Sequence, residues 1–168
     1  AIRRQRQMCI RDSFNYMWEG AEKTSGLACE RIHLDNVYPQ QDQDVITIGG
    51  SGFGIAGLLV AIERNFINRE EGVARLTKIV DYLAKADRFH GVWPHWLHGP
   101  TGKVKPFGTK DDGGDLVESS FLMQSLLCVR QYVKDGNEKE KALAAKIDEL
   151  WHGMEFDWYR NGDQNVFC

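Results

Sequence analysis

Two segments of this sequence are apolar around almost their whole circumference, and an amphipathic segment follows each of them. The first pair covers residues 53–65 and 69–86, and the second covers residues 116–133 and 139–154. A helix that is apolar on every side has to be buried, whereas an amphipathic helix covers a core with one face. Because the links within each pair are short, we expect two antiparallel hairpins, each with an inner apolar helix and an outer amphipathic helix.

The same order of segments occurs twice, and it predicts an all-α fold in which helical hairpins form part of a two-layered toroid. Long loops, residues 22–52 and 87–114, lead into the two inner helices. The inner helices then run parallel, and both loops lie at their N-terminal ends. Loops of this length in a compact domain are usually functional, so we expect the site at that end.

Composition excludes several classes of partner. The chain has 168 residues, 42% of them hydrophobic and 27% charged, which is ordinary for a single globular domain. A net charge of −3 gives no reason to expect nucleic acid as a partner, and no apolar run is long enough for membrane insertion. Four cysteines without a Cys-x-x-Cys pair, and no histidine cluster with zinc spacing, predict neither a metal site nor a cofactor. The oligomeric state cannot be inferred from these numbers.

The stretch from Lys110 to Glu118 places four carboxylates around a pair of glycines where a loop becomes an apolar helix. Asp115 and Glu118 stand three residues apart, so they share one face of the first helical turn, roughly 5–6 Å apart at Cβ. Carboxylates gathered there suit proton transfer and water activation at a glycosidic bond. The alternative is a capping box, in which Asp115 caps the helix and Glu118 reaches back to its backbone N–H.

A glycine-rich segment, residues 45–57, resembles a dinucleotide-binding fingerprint in its Gly52-x-Gly54-x-x-Gly57 spacing. A nucleotide site would need a second strand ending in an acidic residue about twenty residues later. That position falls in a helix, so the segment is better interpreted as a glycine-rich approach to an inner helix. Its backbone N–H groups would then meet substrate hydroxyls, or its glycines would simply allow tight helix packing.

Aromatic and histidine side chains are concentrated in residues 89–96. Two tryptophans, Trp93 and Trp96, lie within four residues of each other in this loop, and their flat faces suit the C–H faces of a sugar ring. Each is either such a platform or an anchor that pins the loop to the body. His95 either orients hydroxyl groups or bonds to the backbone.

Several motifs occur together in an order that resembles a known family. They comprise residues 14–19, 25–28, 47–54, 86–96, 110–118 and 157–165, with the sequences FNYMWE, SGLA, TIGGSGFG, ADRFHGVWPHW, KDDGGDLVE and DWYRNGDQN. The chain is thereby similar to the glucoamylase-like bacterial proteins of glycoside hydrolase family 144, of the endo-β-1,2-glucanase type. That resemblance implies an (α/α)6 toroid and inverting cleavage of β-1,2-glucan, an oligo- or polysaccharide substrate, without a metal. It also implies a periplasmic or secreted location.

The resemblance also assigns residues to a substrate cleft. Asp111, Asp115 and Glu118 would form its acidic cluster and are the predicted catalytic residues. The predicted substrate-binding residues surround them: Trp93, His95, Trp96, Lys110, Asp112, Gly50 and Ser51. Family members are more than twice as long as this chain, and their general acid would lie beyond Cys168, so we expect an incomplete active site and little activity from this chain alone.

Two other functions compete with a hydrolase. A non-catalytic carbohydrate-binding or scaffold module would use the tryptophan loop without chemistry. A polysaccharide lyase would need a base beside a cation, for which His95 with Arg88 is the candidate pair. The acid-rich cluster disfavours the anionic substrate of a lyase.

The first residues differ in character from the rest of the chain. Residues 1–13 are basic and polar at their start, and we expect them to be a non-native or disordered leader. Residues 14–168 would then form the N-terminal part of the toroidal hydrolase domain.

Overall fold

The computed structural model describes residues 2–162 and 164–167, with the side chain of Arg3 left out. Cys168, one of the four cysteines, lies outside the described residues. Five α-helices, three strands and one 3-10 turn follow each other along the chain: α1 Ile2–Trp18, β1 Val45–Thr47, α2 Ile48–Glu63, α3 Arg69–Leu83, β2 Trp96–His98, β3 Lys103–Lys105, α4 Leu116–Val133, α5 Glu138–His152 and the turn Phe156–Tyr159. None of these helices is long and apolar enough to cross a lipid bilayer.

The two predicted helical hairpins are confirmed. The inner helix α4 has the predicted bounds, and the outer helices α3 and α5 end two or three residues earlier than predicted. The inner helix α2 begins at Ile48, five residues before the predicted start. Residues 48–57 of the glycine-rich segment are therefore part of this helix rather than an approach to it, and residues 45–47 form β1. Helix α1 already begins at Ile2, inside the predicted leader, and residues 4–13 are exposed. The boundary at residue 13 stays a prediction.

The two inner helices pack backbone against backbone. A Cβ atom on Gly52 would lie 2.5 Å from the carbonyl oxygen of Phe121 and 2.8 Å from the amide nitrogen of Leu122. One turn earlier, a Cβ atom on Gly49 would lie 2.5 Å from Glu118. Since both contacts advance in the same direction along the chain, α2 and α4 run parallel, as the long connections predicted.

The outer helices cover this pair with apolar stripes. Helix α3 buries Leu76, Ile79, Val80 and Leu83, and helix α5 buries Leu143 and Ile147. Each outer helix starts with a capping box formed by an asparagine at the N-cap and a glutamate at the third helical position. The asparagine side chain accepts from the backbone N–H of the glutamate, and the glutamate side chain accepts from the backbone N–H of the asparagine. Short connections, residues 64–68 and 134–137, join inner to outer helices. The result is two layers, with α2 and α4 inside.

A small antiparallel sheet, in the order β1–β2–β3, makes the prediction of an all-α fold wrong in this respect. Val45 pairs with His98 and Thr47 pairs with Trp96, while Leu97 pairs with Val104. Each strand has only three residues, and about fifty residues separate the first two strands, so no local periodicity could reveal the pairing. The sheet ties the two long loops together at the N-terminal ends of the inner helices.

The close approach of α2 to α4 yields a first prediction. Gly52→Ala places a methyl group against the backbone of α4, which cannot move aside as a side chain can. We expect a loss of about 1–3 kcal/mol in the free energy of unfolding. Gly57→Ala is the matched control in the same helix, because a Cβ there meets nothing within 4 Å, and we expect it to stabilise the chain by about 0.5–1 kcal/mol. Urea denaturation followed by circular dichroism measures both, and equal effects would contradict the close contact.

The capping glutamate of α5 yields a second prediction, on pH. Glu140 is buried; it accepts a hydrogen bond from the backbone N–H of Asn137, 2.9 Å away, and pairs with the guanidinium of Arg69 at 2.6 Å. The Asn137 N–H is the main cause that holds the pKa of Glu140 below its ordinary 4.5, and Arg69 adds to it. A carboxylate with a lowered folded pKa stabilises the fold above its unfolded pKa, and this stabilisation is lost as the pH falls through the folded pKa.

Glu140→Gln is therefore expected to be less stable than the wild type near neutral pH and to approach it as the pH falls below 4.5. Unfolding curves measured at a series of pH values from 7 down to about 3 test this expectation. Glu138→Gln is the control, because that side chain is exposed on the same turn. A stability difference at position 140 that does not change with pH would contradict the charge-based explanation.

Candidate functional site

The acidic stretch lies where α4 begins, beside the start of β2 and the first turn of α2. The backbone N–H of Asp115 donates to the carbonyl of Trp93 at 2.8 Å, which joins the two loops. As the N-cap residue of α4, Asp115 has extended backbone angles, and its Oδ1 atom accepts from the N–H of Glu118 at 3.0 Å. The capping role proposed for Asp115 is therefore present.

The second carboxylate oxygen of Asp115 orients a histidine. His95 Nδ1 lies 2.9 Å from Asp115 Oδ2 and 3.8 Å from Asp111 Oδ2, and all three side chains are partly buried. Since a carboxylate accepts hydrogen bonds, Nδ1 is the donor in the shorter contact. Both oxygens of Asp115 are thus occupied, whereas the Asp111 side chain is 40% exposed and lies beyond hydrogen-bond distance of the ring.

Glu118 does not complete a capping box with Asp115. Its Oε2 atom instead accepts from the backbone N–H of Gly49 at 2.8 Å, across to the first turn of α2. Thr47, the N-cap residue of α2, makes no capping hydrogen bond with its own side chain. Glu118 therefore satisfies a backbone donor of a neighbouring helix, and that part of the capping alternative is wrong.

The two loop tryptophans have different roles. Trp93 is fully buried; its indole N–H donates to the carbonyl of Leu83, and the Arg88 guanidinium lies over its ring at 4.6 Å. The prediction that Trp93 binds substrate is therefore wrong, because neither face of its ring is open, and the anchor alternative holds for it. Trp96 is only partly buried, and its indole N–H donates to Glu30 at 3.1 Å.

A third aromatic ring joins Trp96 beside the acidic cluster. Phe107 is 52% exposed and stacks on the His95 ring, with centroids 4.2 Å apart and an angle of 27°. It also meets the Trp96 ring edge-on at 4.8 Å. Sequence reasoning missed Phe107 and Glu30, because neither stands in a motif and both reach Trp96 only through tertiary structure.

The other predicted binding residues divide into exposed and buried sets. Lys110 and Asp112 are exposed on the loop that precedes α4, and Gly50 is partly buried in the first turn of α2. Ser51 is 1% exposed; its hydroxyl donates to the carbonyl of Thr47 and accepts from the N–H of Ala28. Substrate binding by Ser51 is therefore contradicted, because its hydroxyl is buried and fully used in fastening a loop to α2.

Two further anchors hold the loop that carries His95 and Trp96. Asp87 accepts from the Lys103 ammonium at 2.9 Å and from the Val104 N–H at 3.0 Å. The Lys103 ammonium is the main cause that lowers the pKa of Asp87. Arg88 donates to the carbonyls of Gly91 and Leu150. With its guanidinium used in this way, Arg88 is not available to neutralise a uronate, and the lyase alternative loses its cation.

The geometry limits what the cluster can do alone. Among the residues that the structure describes, His95, Asp111 and Asp115 are close enough to bind one metal ion jointly, because their possible ligand atoms all lie within 4.8 Å of one another. An inverting hydrolase needs its acid and base about 6.5–9.5 Å apart. Asp111 and Asp115 are too close together to serve as that pair.

Comparison with known proteins finds that this chain is similar to part of two proteins described as acting on β-1,2-linked glucans. It is 52% identical over 149 residues to an exo β-1,2-glucooligosaccharide sophorohydrolase of Parabacteroides distasonis, a match that covers 88% of this chain and 20% of that protein. It is 63% identical to an endo-β-1,2-glucanase of Chitinophaga pinensis, solved with sophorotriose and glucose, with a TM-score of 0.93 over 96% of this chain and 38% of that one.

A third match is a protein of Bacteroides caccae described as a candidate glucoamylase. It is 60% identical with a TM-score of 0.94, covering 96% of this chain and 39% of that one. No model of a protein family matches the chain. The resemblance to glucoamylase-like proteins of the endo-β-1,2-glucanase type is confirmed, and the chain spans between about a fifth and two fifths of the length of these relatives.

The capping bond of Asp115 yields a third prediction. Asp115→Ala removes the acceptor for the Glu118 N–H, and we expect a loss of about 1 kcal/mol in the free energy of unfolding. Asp115→Asn keeps an acceptor and should lose much less, because asparagine is an equally good N-cap residue. Asp112→Ala, in the same exposed loop, should change stability by less than about 0.5 kcal/mol. Equal losses at positions 112 and 115 in urea denaturation would contradict the capping role.

Proposed function

We propose that this chain, a homologue of the endo-β-1,2-glucanases and glucoamylase-like proteins, is the N-terminal part of a glycoside hydrolase that cleaves β-1,2-glucan. The observation that carries the proposal is a set of open carboxylates beside an aromatic surface. The carboxylate of Asp111 and one oxygen of Glu118 have no hydrogen-bond partner among the described residues, and Asp111 lies 3.8 Å from His95, whose ring stacks on Phe107. Aromatic faces bind sugar rings, and carboxylates activate water.

The three acidic residues would then have different tasks. Asp115 holds His95 and caps α4 with its two oxygens, which suits a positioning residue. Asp111 and Glu118 each keep an oxygen free to bind a sugar hydroxyl or to take a proton from water. In an inverting reaction, that water attacks the anomeric carbon while the glycosidic oxygen leaves with a proton from a general acid.

The general acid would come from a part of the protein outside this chain. Within the acidic cluster, the short separation of Asp111 and Asp115 does not leave room for a sugar and a water between them. The relatives extend well beyond the region they share with this chain. This supports an active site that is incomplete here, as the resemblance implied.

The same view accounts for the apolar side of the inner helices. Phe53 on α2 and Val117 and Phe121 on α4 are between 41% and 64% exposed, and the two phenyl rings contact each other with centroids 5.4 Å apart. Contiguous apolar surface of this kind is typical of an interface. We propose that further hairpins cover it and complete an (α/α)6 toroid. A periplasmic or secreted location is also part of the proposal and rests on the resemblance alone.

A chimera tests the function directly. In the Chitinophaga pinensis endo-β-1,2-glucanase, the segment that matches this chain is replaced by this chain, and release of oligosaccharides from β-1,2-glucan is measured. We expect the chimera to hydrolyse the glucan and the isolated chain to be inactive. Glu118→Gln should lower turnover about tenfold or more, because it removes the carboxylate charge while keeping the shape.

Glu138→Gln, on the exposed side of α5, is the matched control and should leave turnover unchanged. A folded chimera that binds the glucan without releasing product would support the carbohydrate-binding module instead. Unchanged turnover in Glu118→Gln would show that this carboxylate takes no part in the reaction. Its role would then be limited to capping the N-terminus of α2.

A further inference from the structure

Helix α2 begins without a cap of its own, and a residue of another helix supplies one. The first N–H groups of a helix have no partners within the helix, and a side chain at the N-cap usually accepts from one of them. Thr47 does not do so in α2. The Oε2 atom of Glu118, 69 residues further along the chain, accepts from the Gly49 N–H at 2.8 Å.

The absence of a side chain at position 49 is what allows this contact. A Cβ atom on Gly49 would lie 2.5 Å from Oε2 of Glu118, 2.9 Å from its Cδ and 3.2 Å from Oε1. These three distances are all to one carboxylate group. The contact differs from that at Gly52, where the added atom would meet the backbone of α4. An alanine at position 49 can therefore be accommodated, but only if the Glu118 carboxylate moves.

We propose that Gly49 is a positioning residue for the reaction, which fixes Oε2 of Glu118 on the α2 N-terminus so that Oε1 is presented to the sugar. The inference rests on the proposed function of the acidic cluster. Two features act together: the N–H group provides the bond, and the missing side chain provides the space for it.

The contact itself can be tested without any activity. In this chain with 13C-labelled glutamate, the side-chain carboxyl resonance of Glu118 is assigned by its loss in Glu118→Gln. We expect Gly49→Ala to shift that resonance and Gly57→Ala, in the same helix, to leave it in place. An unchanged Glu118 resonance in folded Gly49→Ala would overturn the proposal, whether or not the protein hydrolyses glucan.

The consequence for catalysis is tested by a double-mutant cycle in the chimera. Gly49→Ala should lower kcat about tenfold with a smaller change in KM, while Gly57→Ala changes neither. If Gly49 acts through Glu118, adding Gly49→Ala to Glu118→Gln should cost little further, because residues that act as a unit are not additive. The same loss in both backgrounds would mean a general structural effect and would overturn the positioning role.

The two tests separate the possible failures. A wild-type chimera without activity rejects the proposed function, and the carboxyl resonance still decides whether Gly49 positions Glu118. An active chimera in which Gly49→Ala has normal kcat rejects the positioning role alone. Thermal unfolding of each variant accompanies both tests, and we expect Gly49→Ala to unfold cooperatively, because a side chain rather than backbone gives way.

Discussion

The close approach of the α2 and α4 backbones determines where the acidic cluster lies. Gly52 brings its Cα against the backbone of Phe121 and Leu122, so the two helices run side by side from their first turns. With parallel axes, both N-termini open at the same end. Glu118 can then reach the Gly49 N–H, and Asp115 can lie beside the loop that carries His95. A wider separation of the two helices would break the bond between Glu118 and Gly49, which spans 2.8 Å.

The small sheet lies at the same end of the structure, beside the N-terminus of α2. Thr47, Trp96 and Lys105 stand next to each other on β1, β2 and β3, so the sheet connects the start of α2 with the aromatic loop. Trp93 anchors that loop in the core, and Trp96, three residues later, stays partly open. A rigid scaffold and an accessible ring therefore come from the same short segment, which is what a site that binds a flat sugar face needs.

Hydrophobic periodicity was enough to predict the helices and their layers, because an apolar or amphipathic pattern is a local property. The apolar run alone predicts a helix over residues 116–133, and α4 has these bounds. The start of α2 was missed because glycines disfavour a helix locally, and only their contacts with α1 and α4 compensate for that cost. The different roles of Trp93 and Trp96, and the bond between Glu118 and Gly49, depend on partners that are distant in sequence.

The three carboxylates of the acidic cluster, Asp111, Asp115 and Glu118, differ in how many of their oxygens accept hydrogen bonds. Both oxygens of Asp115 accept hydrogen bonds, at 2.9 Å and 3.0 Å. Using either oxygen as a base would therefore leave the α4 N-terminus without its cap or release His95. Glu118 has one oxygen held by the Gly49 N–H, and its other oxygen has no hydrogen-bond partner among the residues that the structure describes. The Asp111 side chain is 40% exposed, and no hydrogen bond from a described residue fixes its orientation. Under the proposed function, Glu118 is the best oriented candidate of the three that also keeps an oxygen for the substrate, because a glycine in a neighbouring helix holds its other oxygen.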